Sequence, residues 1–137
     1  MSEKKAGIKP KIDRTAWRTL PHSQWNVRTV HQMFADLNRE YYGVETYLPM
    51  RNWGFEQGAI KRALAEHGAD VLHEAFTQIF REYKPVPDYP ILTAGFAISY
   101  RLNAVIPRIL ADRKRKEKAE TTVVNGGMAT EELADWL

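Results

Sequence analysis

At 137 residues, 44% apolar and 11% aromatic, the chain is long enough for one domain with tails and has the apolar content of a folded protein. It has no cysteine, which excludes a disulfide framework and thiolate metal sites; no apolar run approaches the ~20 residues of a membrane-spanning helix, and residues 1–10 lack the apolar stretch of a signal peptide, so a cytoplasmic protein is expected. The formal charge of +3 is unevenly placed: basic over residues 1–18, basic again in RKRKEK at 113–118, and acidic in the last seven residues, EELADWL.

Residues 1–13 read as a flexible basic arm, because they hold Gly7, Pro10 and mostly charge without periodicity. A short turn from Arg14 to Leu20, carrying Trp17, ends at Pro21. The first helix is expected over 27–42. Val27, Val30, Phe34, Leu37 and Tyr41 recur at steps of three and four, Asn26 sits where an N-cap belongs, and Gly43 where a helix ends in a left-handed residue.

A connector through Pro49 leads to a second helix over 53–67, with Asn52 as cap, Gly68 as stop, and Phe55, Ile60, Ala63 and Leu64 facing inward. A third helix over 71–83 follows a three-residue join. Asp70 is its expected cap, and Leu72, Ala75, Phe76, Ile79, Phe80 and Tyr83 are its buried stripe. KPVPDYP, 84–90, is an extended connector. Thr93 should cap a fourth helix over 94–104, with Phe96, Ala97, Tyr100 and Ala104 inward. Pro107 should kink or restart it on its way to Lys118. Residues 119–129, with Gly126 and Gly127, read as a linker, and residues 130–137 as a short amphipathic helix. The fold class is therefore all-α: a helical domain over 14–118, built as a bundle of four to five helices between a basic arm and an acidic tail.

The pattern offers no catalytic constellation. His22, His31, His67 and His73 stand at no metal-ligand spacing, and phosphate-loop, dinucleotide and nucleophile-elbow motifs are missing, so neither catalytic residue, metal nor cofactor is expected. Asp36 and Glu40 share a helix face but lie beside Arg28 and Arg39, as on a solvated surface. Clustered cations point instead to nucleic acid, whose phosphates they neutralise. The expected contacts are Lys9, Lys11, Arg14 and Arg18 in the arm, with Trp17 as a stacking ring, and Arg108, Arg113, Lys114, Arg115 and Lys116 near the end of the last helix. Trp25 and Trp53 are expected at the edge of the core. In the tail, Leu133, Trp136 and Leu137 are apolar anchors and Glu131, Glu132 and Asp135 a charge match, which suits a tethered docking peptide or a contact back onto the domain.

The segments WNVRTVHQMFADLNREYYG, EHGADVL, YKPVPDYPILTAGFAISY and IPRIL, between Trp25 and Leu110, resemble small helical replication accessory proteins of phages and mobile elements, of the helicase-loader and replisome-organiser kind. The resemblance implies an all-α core, contact with DNA (possibly single-stranded) or RNA, a protein partner such as a helicase, single-strand binding protein or polymerase, and the host cytoplasm as its setting. It carries over no catalytic residue. The alternative is a phage-type regulator that binds a host protein such as RNA polymerase; a subunit of a ribonucleoprotein stands behind it.

Overall fold

In a computed structural model, which describes the backbone of residues 12–136 and the side chains of residues 12–120, three of the helices begin on polar caps that the sequence marks. Helix α1, Val27–Tyr42, starts at Asn26, whose side chain accepts a bond from the Thr29 amide while Thr29 returns one to the Asn26 amide. It stops at Gly43, whose φ of 72° is left-handed and costs glycine little. Helix α2, Trp53–His67, starts at Asn52, which accepts from the Phe55 amide.

Helix α3, Ala69–Glu82, begins one residue after α2 ends, with Gly68 at φ 82° making the corner. Asp70 lies inside its first turn rather than capping it, and its carboxylate serves an ion pair instead. Thr93 caps α4, Ala94–Phe96, through the Phe96 amide. A π-helical segment, Ala97–Arg101, follows directly, and α5, Leu102–Trp136, continues it.

Residues 119–129, expected as a linker, continue α5 as helix, and of these only residues 119 and 120 have described side chains. The rest of that linker, and the tail with Glu131, Glu132, Leu133, Asp135, Trp136 and Leu137, lies outside the residues whose side chains are described, as does the arm with Lys9 and Lys11. Pro107 does not interrupt α5. It is exposed, so the carbonyl one turn back that loses its partner can turn to water. Arg14 to Leu20 forms turns, followed by a single 3-10 turn, His22–Gln24.

Phe34 of α1 meets Phe76 and Phe80 of α3 at ring separations of 4.8 and 5.0 Å, which puts the centre of the core between these two helices. Ile60, Leu72, Ile79, Leu92 and the buried face of the last helix close around them. Trp17 and Trp25 complete this cluster at its edge. Asn38 is fully buried; its amide donates to the carbonyls of Phe34 and Leu92, and its oxygen accepts from the Leu92 amide, pinning the segment before α4 to α1.

The expected stripe on the fourth helix is corrected. Tyr100 is 64% exposed and Ala104 is exposed, while Leu102, Val105, Ile106 and Ile109 are buried. The π segment holds one residue more than an α-helical turn, so every later side chain is turned by about 100° relative to an uninterrupted α-helix. No strand occurs among the described residues; Val86 and Tyr89 make an isolated antiparallel bridge around Pro87 and Asp88.

Candidate functional site

Two surfaces and one buried network stand out. The network centres on Glu56, in the first turn of α2, whose side chain is fully buried. One carboxylate oxygen accepts from Tyr47 Oη at 2.6 Å and faces His31 Nε2 at 3.2 Å; the other accepts from the amides of Met50 at 3.0 Å and Gly95 at 2.8 Å. Burial works against its charge, but these donors outweigh burial and hold the carboxyl below the usual range. Tyr47 Oη also accepts from the Ala94 amide. A carboxylate and a phenol of one layer thus satisfy the first free amides of the last helix. Burial first, and then the Glu56 charge, push the Tyr47 hydroxyl up, so it stays a donor.

The first surface is the end of the last helix. Helices α3 and α5 run antiparallel: Glu82 holds Arg108 at 3.0 Å, and Asp70 and Glu74 hold Arg113 at 3.0 and 2.8 Å. At Arg113 the helix is therefore level with the first turn of α3, and the following turns extend past that end of the bundle. Residues 114–120 are all exposed. Lys114 and Lys116 make no ion pair among the described residues, and Arg115 pairs with Asp112 three residues back.

The expected cationic contacts divide accordingly. Lys114 and Arg115 stand exposed past Arg113, and Lys116, also exposed, lines a hollow with Asp70, His73, Glu74 and Asp112 at that end of α3. Arg108 and Arg113 are instead engaged as clamps between two helices, and Arg113 holds the Asp70 carboxyl low. Arg18 stacks over Trp17, 4.1 Å from its ring centre, and pairs with Glu40. Trp17 itself is only 5% exposed and donates from Nε1 to Asp36 at 2.8 Å, so its ring is part of the core and not open to a base. Arg14 is half-buried and shares a hollow with Ile12, Asp13 and Arg28. Of the two rings expected at the core's edge, Trp25 is buried, but Trp53 is 47% exposed, packed edge-on against His31.

The second surface is apolar. Leu48 and Met50 on the connector, Tyr83 at the end of α3, Tyr89 and Ile91 beyond the Pro87 turn, and Phe96 line a groove of about 410 Å³. Leu48 and Tyr89 are 64% and 70% exposed on it, an unusual exposure for two large side chains side by side. KPVPDYP is thus a shaped wall: Tyr83 Oη donates to the Tyr89 carbonyl, and Val86 and Tyr89 exchange backbone bonds.

Sequence reasoning missed His31, Tyr47 and Glu56 as a unit. Their partners lie 6 to 47 residues apart, and an acid in a first helical turn already has a local explanation in the helix dipole. Comparison with protein-family models, with curated proteins and with solved structures yields no match for this chain. Among the described residues no helix is long and apolar enough to cross a membrane.

Proposed function

We propose that this chain is a non-enzymatic accessory protein of DNA replication or another DNA transaction in the cytoplasm, and that it touches nucleic acid through the projecting end of its last helix. The reading is supported by the exposed Lys114–Arg115–Lys116 run past Arg113, continued by Lys118. Cations on a helix that leaves its own domain can approach a phosphate backbone without the domain in the way. Arg108 and Arg113 hold that helix to the bundle, and the acidic tail would engage a protein such as a helicase or single-strand binding protein.

The test is a salt titration of DNA binding. Affinity should fall steeply with salt, and the combined reversal K114E, R115E and K116E should flatten the slope by about one unit per phosphate contact removed. A flat titration of the unaltered protein overturns the reading.

The apolar groove favours a second reading, a regulator that binds an apolar segment of a protein such as RNA polymerase. That reading expects L48D and Y89D to abolish function and the triple reversal to leave it intact.

A further inference from the structure

On the face made by α1 and α2, away from the projecting helix, an open groove of about 600 Å³ runs between the two helices. Arg28 and His31 line it from α1; Gln57 and Lys61 line it from α2. Gly54 and Gly58 lie along the same wall, one turn apart, and bring no side chain into it. Every polar side chain on the lining is a cation, an amide or an imidazole, and none is a carboxylate. Neither Arg28 nor Lys61 makes an ion pair among the described residues; Asp13 feels the Arg28 charge from outside the groove.

His31 is the built part of this groove. Its Nε2 faces the fully buried Glu56 at 3.2 Å, and Trp53 packs edge-on against the ring at 5.1 Å, so the imidazole is oriented from behind and from one side. Its Nδ1 has no hydrogen-bond partner among the described residues, and the side chain keeps 14% of its surface exposed. The carboxylate behind the ring favours the tautomer that carries its proton on Nε2 and fixes the orientation of the ring. The arginine, the lysine and the glutamine amide around this ring have the donor chemistry of a site for a tetrahedral oxyanion.

We propose that the groove between α1 and α2 binds a phosphate group, with Arg28, Lys61 and Gln57 as direct donors and His31, positioned by Glu56, as the ring that lines the groove between them. The flat wall at Gly54 and Gly58 admits the rest of the ligand. A phosphate can arrive free or as part of a nucleic-acid backbone, and the chemistry of the groove is the same for both.

The experiment follows the His31 ring nitrogens by NMR in the full chain while inorganic phosphate is added at constant ionic strength, with chloride as the control ion. Saturable shifts at His31, with His67 unmoved, are the expected result. R28E and K61E should each weaken the affinity at least about tenfold, the loss of one charge-assisted contact. G58L separates binding from folding. A Cβ at position 58 meets only the flexible end of Arg62, at 3.4 Å, and leaves a helix that gains a better former, so this variant should melt no lower than the parent while losing the phosphate response.

A single-stranded oligonucleotide without terminal phosphates is the second arm. If it shifts the same ring nitrogens and competes with phosphate, the groove takes a backbone phosphodiester; if phosphate alone acts, it takes a free or terminal phosphate. The proposal is overturned if phosphate moves His31 no more than chloride does, or if G58L and R28E respond as the parent does.

Discussion

The Gly95 amide donates to Glu56 Oε2 at 2.8 Å, and a Cβ at position 95 would lie 3.0 Å from that same oxygen and 3.1 Å from Met50 Cβ. The first turn of the last helix can thus reach the buried carboxylate only because residue 95 has no side chain. Glu56→Ala would leave the amides of Met50 and Gly95, and the Tyr47 hydroxyl, without their acceptor. Breaking such a buried charged network costs about 3–5 kcal/mol, a large share of the ~5–15 kcal/mol that holds a domain folded. Glu56→Gln should be nearly as damaging, since an amide brings donors to a place already filled with donors. Gly95→Ala forces backbone and side chain apart and should cost about 1–3 kcal/mol. Urea midpoints of the three variants check the order E56A, E56Q, G95A.

Stability should fall on mild acidification, through His73. Burial lowers its pKa below the ordinary 6.5, His22 lowers it further across a 2.9 Å contact, and the Arg18 charge adds to this while Asp70 opposes it. Trp17 and Trp25 face the same ring without charge. The folded state therefore resists the proton that the unfolded chain accepts. Stability is full above pH 6.5 and is lost as the pH falls from there toward the lowered folded value. His73→Phe keeps an aromatic ring between Trp17 and Trp25, and melting curves of that variant should be flatter than the parent's across this window.

The caps at Asn26, Asn52 and Thr93 and the stop at Gly43 were readable because each joins residues no more than five apart, and a 3.6-residue period marks the helix beside it. Trp17 was not readable in the same way. It lies in a turn with no period, and the Asp36 that accepts its indole hydrogen bond is 19 residues on. Arg108 and Arg113 look like any basic helix end until α3 brings Glu82, Asp70 and Glu74 beside them. The local pattern shows where cations are, and only the packing shows which of them already have partners.

That division has a measurable consequence. Arg113→Ala should lower stability by about 0.5–1.5 kcal/mol, a modest sum because the three side chains are partly exposed and screened by water. The α3 end would be loosened, with faster amide exchange at residues 69–74. If the projecting run holds the nucleic-acid contacts, R113A should change DNA affinity much less than K114E does. Parallel melting and binding measurements on the two single variants distinguish a clamp from a contact.

The π segment makes a sharper test of how the last helix is built. Ala97–Arg101 carries the extra residue, and the helix on either side is in register with the core only because that residue is there. Removing the exposed Ser99 should convert the segment to α-helix while leaving Leu102, Val105, Ile106 and Ile109 facing the core. Removing the exposed Asn103, four residues on, takes a residue from regular α-helix and turns Val105, Ile106 and Ile109 away from the core by about 100°. In that shift Ile106, Pro107 and Leu110 take the core-facing places of Val105, Ile106 and Ile109, so two aliphatic places are refilled and the cost is about 1.5–3 kcal/mol at the place that Pro107 takes, a large part of an ordinary domain's stability. The two deletions are equal in length and both fall on the solvent face, so composition and exposure predict the same outcome for both. Circular dichroism melts should show the Ser99 deletion melting near the parent and the Asn103 deletion well below it. An Asn103 deletion that melts as high as the Ser99 deletion, or an unfolded Ser99 deletion, would mean that the register of the last helix is not set by the π segment.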